Sequence, residues 1–142
     1  MNEESKTGIA IFCWVAFLIT FFAGLGMFLA PGKISDLAGI PAAAAEFNPY
    51  FIKLLGLILV AVSLCYFMAI YDDDAARSLI FIASGEKVLA VLYTLAALVS
   101  GRVGKMTAGV ILTDGLLAII GFYFVFRLSR TLWTDDDMDE KK

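Results

Sequence analysis

The chain has 142 residues, of which 61% are hydrophobic and 18% charged, and its formal net charge is -3. This composition is far more apolar than the roughly 45–50% usual in a soluble domain, so it indicates a membrane protein. The acidic balance argues against a nucleic-acid partner. The sequence contains no histidine, which excludes histidine-ligated haem and zinc sites built on histidine.

Four apolar runs, each long enough to cross a bilayer as a helix, follow one another along the chain. A polar N-terminal segment over residues 1–7 precedes them. The predicted spans are residues 8–30, 50–71, 76–99 and 104–126. The first ends at a Pro-Gly pair, as helix C-termini often do. Residues 8–130 are therefore expected to form one four-helix transmembrane domain.

The segments outside the spans differ in length and polarity. The first loop is long and contains three prolines, and the spacing of its apolar residues predicts a short interfacial segment. The other two connections are short, and the one between the third and fourth spans is short enough to make these two spans antiparallel neighbours. Residues 131–142 form an acidic tail that is predicted to be disordered. The sequence thus predicts an all-α, four-helix transmembrane bundle with both termini on the same side.

Basic residues near the helix ends predict how the bundle is oriented. The side that holds the termini has six (Lys6, Arg77, Arg127, Arg130, Lys141 and Lys142), and the opposite side has four (Lys33, Lys53, Arg102 and Lys105). Because lysine and arginine are enriched in cytoplasmic loops, both termini are expected in the cytoplasm of a bacterial-type inner membrane.

Three ionisable residues fall near the middle of predicted spans: Glu86 and Lys87 in the third and Asp114 in the fourth. A charge at the centre of a span costs about 2.5–3.5 kcal/mol on the insertion scale. Insertion of the last two spans as a hairpin lets Lys87 and Asp114 pair, which lowers that cost. Since one lysine cannot neutralise two carboxylates, Glu86 or Asp114 is left able to bind and release a proton.

Helical spacing predicts which residues accompany this cluster in the bundle interior. Small and weakly polar residues follow one face of each span, as in membrane helices that pack closely. Four of the polar ones are possible contributors to the site: Lys53, Ser63, Tyr93 and Thr94. A bundle this small is expected to leave little volume for a substrate. The structural alternative is a static Lys87–Asp114 pair, with Glu86 bonded to a tyrosine or serine hydroxyl.

Other residues with chemical potential give weaker signals. Cys13 and Cys65 are expected near the same leaflet, where two buried apolar thiols are favoured over a redox disulfide. The acidic turn at residues 72–74 and the acidic tail lack the ligand spacing of an EF-hand, and solvated charge is the better interpretation.

Two motifs carry a resemblance to a known family. The first span ends with Gly24, Gly26 and Pro31 in a Gly-x-Gly-x-x-x-x-Pro arrangement, and the second opens with Lys53-Leu54-Leu55-Gly56. With the helix number and loop pattern of residues 8–130, these features resemble the DoxX-like four-helix membrane proteins. The resemblance implies this fold, and some members look like small subunits of quinone-linked oxidoreductases.

Three functions are compatible with these features. The leading hypothesis is a binding or accessory protein in the lipid bilayer. Such a protein docks on a larger membrane complex, forms a homo-oligomer, or holds a small amphipathic ligand against the charged cluster. No cofactor is predicted, and catalysis by the chain alone is not expected. The first alternative is a small proton-coupled transporter that uses Glu86 or Asp114. It resembles the small multidrug transporters in size, but those carry a carboxylate in the first helix. The second is the membrane subunit of a quinone-linked oxidoreductase.

Overall fold

The computed structural model describes residues 3–37 and 49–139, and the described chain is almost entirely helical. Its helices are α1 (Glu3–Leu29), α2 (Pro31–Leu37), α3 (Pro49–Tyr71), α4 (Asp73–Val99) and α5 (Ala108–Asp139), with a 3₁₀ turn at Lys105–Thr107. Four segments are long and apolar enough to cross a membrane: Lys6–Leu29, Tyr50–Tyr71, Asp73–Val99 and Ala108–Ser129. The predicted all-α fold with four spans is confirmed.

Local sequence explains where the first helices begin and end. α1 ends at Leu29, and Pro31 then opens α2 instead of only terminating α1. Proline suits the first position of a helix because its missing N–H has no partner to lose there. The short α2 lies where a short segment was expected in the first loop, whereas residues 38–48 of that loop lie outside the described chain.

The third span begins earlier than predicted, at Asp73 instead of residue 76. Asp72 is the N-cap of α4, and its side chain accepts a hydrogen bond from the backbone N–H of Ala75 at 2.9 Å. Asp73 and Asp74 occupy the first turn, where negative charge interacts favourably with the helix dipole. The acidic turn thus starts a helix as well as being solvated.

Two helices extend beyond their predicted limits. α1 starts at Glu3, inside the predicted polar segment, and α5 continues to Asp139 instead of ending at residue 126. The acidic tail predicted to be disordered is therefore helical as far as Asp139. Extension of an existing helix adds one hydrogen bond per residue without a new nucleation step, so polar residues can continue it.

The helices pack as two antiparallel pairs, α1 with α3 and α4 with α5, joined through Asp72 between α3 and α4. The hydrophobic core lies at one end of the bundle, which we call the packed half. It contains, for example, Ile9 of α1, Ala69 of α3, Ala76 of α4 and Leu128 of α5. The start of α1 and the later part of α5 both contribute to this core, so they lie at the same end of the bundle.

Glycine allows the closest helix contact, where α1 crosses α3. A Cβ atom on Gly24 would lie 2.6 Å from the carbonyl oxygen of Gly56, which is closer than real Cβ contacts. The two backbones therefore touch directly, in the way that small residues bring membrane helices together. In the other pair, Ser84 of α4 packs against Gly121 of α5.

Large apolar side chains cover the outside of all four spans, among them Phe22, Leu57, Leu92 and Ile119. A water-soluble monomer rarely exposes a contiguous apolar surface of this extent. The surface is instead suited to lipid, and it agrees with the length and hydropathy of the four helices.

Candidate functional site

A cavity of about 820 Å³ occupies the half of the bundle opposite the packed half, and it is partly open to the outer surface, where Leu89 and Tyr93 are exposed. All four spans line it, because it lies between the last part of α1, the first part of α3, the middle and last part of α4, and the first turns of α5. Small side chains such as Ala23, Ala90 and Gly109 lie along its wall and leave the space unfilled. The expectation that a bundle this small holds little volume is wrong.

The three intramembrane charges meet at this cavity and form what we call the polar cluster: Glu86, Lys87 and Asp114. Lys87 Nζ lies 3.1 Å from Glu86 Oε2 and 3.4 Å from Asp114 Oδ1. The predicted Lys87–Asp114 pair is therefore present. Glu86 also contacts the lysine, although it comes from the adjacent position on the same helix.

Burial differs sharply within the polar cluster. The Lys87 side chain is 3% exposed, whereas those of Glu86 and Asp114 are 25% and 15% exposed. The ammonium group is thus enclosed between carboxylates that also face the cavity. With both carboxylates ionised, one positive charge opposes two negative ones, so the cluster has an excess of negative charge.

If the cluster were only a static ion pair, Glu86 was expected to bond to a tyrosine or serine hydroxyl. No such hydrogen bond is present among the described residues. Glu86 Oε2 is buried and accepts no hydrogen bond of acceptable geometry from any described residue, despite its 3.1 Å distance from Lys87 Nζ. A carboxylate oxygen in this position keeps acceptor capacity that a static ion pair leaves unused.

Thr20 of α1, which helical spacing predicts on the inward face of the first span, is a site residue beyond the four predicted contributors. Its side chain is 1% exposed and lines the cavity. Its Oγ1 atom has no hydrogen-bond partner within the described chain. Buried hydroxyl groups are normally paired, so an unpaired one beside a cavity is an unused polar contact. The available signal was that Thr20 is the only hydroxyl-bearing residue of the first predicted span.

The four predicted contributors fall into two groups. Tyr93 and Thr94 line the cavity on the side of the polar cluster that faces away from the packed half. Ser63 is buried but donates its hydroxyl to the carbonyl oxygen of Val60 at 2.6 Å, and it does not line the cavity. Lys53 is exposed and also lies outside the lining. It belongs to the first turns of α3, where a long side chain reaches away from the bundle.

Aromatic side chains fill the bundle between the polar cluster and the packed end. The Phe12 ring lies 5.8 Å from the Tyr66 ring and 5.3 Å from the Phe124 ring, measured between centroids. Tyr66 is fully buried, and its hydroxyl lies near Ser84 Oγ without hydrogen-bond geometry. This aromatic layer belongs to α1, α3 and α5 at once, so it separates the cavity from the end of the bundle where the termini lie.

Groups suited to other chemistry are few in the described residues. Cys13 and Cys65 are free thiols, and no group of three or more Cys, Asp or Glu side chains there is arranged to hold a metal ion. No protein-family model, curated protein or solved structure matches the chain. The cavity and the polar cluster are therefore the basis for a functional assignment.

Proposed function

We propose that this chain is an integral membrane protein that binds a small amphipathic molecule inside its helical bundle. The observation that carries the proposal is a cavity lined by all four spans with a buried lysine and two carboxylates at its inner end. The polar head of the ligand lies against the polar cluster, and its apolar part follows the aliphatic wall.

The size and lining of the cavity support this role. Its volume of about 820 Å³ falls within the roughly 300–1,000 Å³ of typical ligand pockets. Aliphatic side chains such as Ile58, Leu59 and Leu89 form much of the wall, with a few polar groups placed together. This division between apolar wall and convergent polar groups is the usual pattern of a small-molecule site.

A purely structural role explains the site less well. An ion pair that only holds α4 and α5 together needs no cavity beside it, and buried polar groups in such a role are normally fully paired. Here Thr20 Oγ1 and Glu86 Oε2 are left without hydrogen-bond partners among the described residues. Both residues line the cavity, so a bound molecule would lie beside them.

We place the protein in a bacterial-type inner membrane with both termini in the cytoplasm, on the count of basic residues near the helix ends. The cavity then lies in the outer half of the membrane, and the aromatic layer of Phe12, Tyr66 and Phe124 faces the cytoplasmic side. In this arrangement the protein acts as a binding or accessory component. Proton-coupled movement of the ligand is a second candidate, favoured by the two carboxylates that share Lys87.

Filling the cavity tests the proposal. We expect the full-length protein, extracted gently from its native membrane, to retain an amphipathic small molecule that native mass spectrometry detects. Ala90→Phe places a ring in the cavity wall and should abolish retention, because Ala90 lines the cavity. The matched control is Ala96→Phe on the same helix, at an exposed position outside the lining.

Two results would contradict the proposal. One is equal retention by Ala90→Phe and Ala96→Phe, which would place the molecule on the outer surface. The other is an unmodified protein that arrives without any small molecule and also takes none up from added amphiphiles.

A further inference from the structure

We propose that the head group of the ligand is a cation that donates hydrogen bonds, namely a protonated amine with one apolar substituent. This inference rests on the proposed function, since it identifies the chemical class that the same cavity accepts. It depends on three observations: the charge of the polar cluster, its surplus of acceptors, and the apolar lining of the rest of the cavity.

The first observation is the charge balance. Glu86, Lys87 and Asp114 are the charged residues that line the cavity, and Tyr93 is the other ionisable group on its wall. Two carboxylates and one ammonium group give the ionised cluster a net charge of one negative unit. An added cation brings the site to neutrality, whereas an added anion increases the imbalance in a region of low dielectric.

The second observation is an excess of hydrogen-bond acceptors. Each carboxylate has two oxygen atoms, and Lys87 Nζ contacts Oε2 of Glu86 and Oδ1 of Asp114. Both carboxylates also keep part of their surface at the cavity, since the Glu86 and Asp114 side chains are 25% and 15% exposed. Thr20 borders the cavity and is 1% exposed, and its Oγ1 atom has no hydrogen-bond partner within the described chain.

Lys87 cannot easily serve an anionic ligand instead. It is 3% exposed and lies between two carboxylates, so an anion must displace one of them to reach the ammonium group. Displacement would leave that carboxylate without its counter-charge, which is strongly unfavourable in a buried site. A protonated amine, with up to three donors and no acceptor, matches the available groups without breaking either contact.

The third observation concerns the body of the ligand. Apart from the polar cluster, the wall of the cavity is mostly aliphatic and includes Ile19, Met27, Ile58 and Leu89. Hydrocarbon in contact with these side chains is stabilised in proportion to the area removed from water. An amine with a single alkyl or aryl substituent therefore satisfies both ends of the cavity.

Three probes with the same tail separate the charge preference from the tail preference: octylammonium, octanol and octanoate. The full chain is placed in nanodiscs of zwitterionic lipid at neutral pH, and binding is measured by equilibrium dialysis against empty nanodiscs. We expect octylammonium to bind at least about tenfold more tightly than octanol, because hydrogen bonds to charged groups are stronger than neutral ones. Octanoate should bind least.

Variants assign the preference to the site. Glu86→Gln should weaken octylammonium binding by about tenfold and octanol binding by a clearly smaller factor, because octanol carries no charge. Octanol binding that persists in the variant also shows that the variant is folded. The matched control is Asp36→Asn, which neutralises an exposed carboxylate on α2 outside the cavity and should change neither affinity.

The outcomes distinguish the two proposals. If octanol or octanoate binds as tightly as octylammonium and Ala90→Phe abolishes that binding, the cavity binds amphiphiles and the preference for a cation is refuted. If none of the three probes binds, or if Ala90→Phe leaves their binding unchanged, the proposed function itself fails. If Asp36→Asn weakens octylammonium binding as much as Glu86→Gln does, the preference belongs to the general surface charge, and the inference is overturned.

Discussion

The glycine contact between α1 and α3 makes the sharpest prediction about stability. In Gly24→Ala the new Cβ would lie 2.6 Å from the Gly56 oxygen and 2.9 Å from the Val60 nitrogen, both of them backbone atoms. Backbone atoms cannot rotate away, so the helices must separate. Overpacking of this kind lowers the free energy of unfolding by up to about 3 kcal/mol. The better helix propensity of alanine restores about 1 kcal/mol of that loss. We therefore expect a net loss of about 2 kcal/mol in the free energy of unfolding.

The matched control lies two positions further along the same helix. In Gly26→Ala the new Cβ meets only the tip of the Ile34 side chain, at 3.8 Å, which is an ordinary van der Waals contact. This variant should be as stable as the unmodified protein or more stable by up to about 1 kcal/mol. Reversible unfolding in mixed micelles, followed by far-ultraviolet circular dichroism, gives both values. Equal stability of the two variants would refute the inferred backbone contact.

Three further predictions concern polar groups. Glu86→Gln and Asp114→Asn should each lower the free energy of unfolding by less than about 1 kcal/mol, since one carboxylate still contacts Lys87. Their combination should lower it by about 3–5 kcal/mol because the lysine loses its last counter-charge, and additive losses in the same unfolding assay would contradict this. Thr20→Val should keep or raise the melting temperature of the ligand-free protein, since the lost hydroxyl has no partner in the described chain. A clear drop in the melting temperature would show that the hydroxyl does have a hydrogen-bond partner. Asp72→Ala should cost about 1 kcal/mol through loss of the α4 cap, and Asp72→Asn should restore most of it.

Periodicity and charge predict much of the architecture. The four apolar runs locate the spans because the length of a membrane helix is set by the bilayer. The Lys87–Asp114 pair is also predictable, since two opposite charges at similar depth in neighbouring spans have few other partners. Helical spacing predicts only part of the interior, since Tyr93 and Thr94 line the cavity whereas Ser63 and Lys53 do not.

The cavity is not predictable in the same way. Small residues on an inward face are compatible with close packing or with empty space, and only the relative placement of the helices decides between them. At Gly24 small size brings two helices into contact, whereas at Ala90 it leaves a void. The role of Thr20 depends on what surrounds it, and its unpaired hydroxyl has no signature in the sequence.

The way the helices are joined has a mechanical consequence. The two antiparallel pairs are linked to each other at the packed end through the single residue Asp72, which joins α3 to α4. The Gly24–Gly56 contact makes the α1–α3 pair one stiff unit. Core residues from all four spans join the two pairs at the packed end, so the cavity end is where the pairs are held together least.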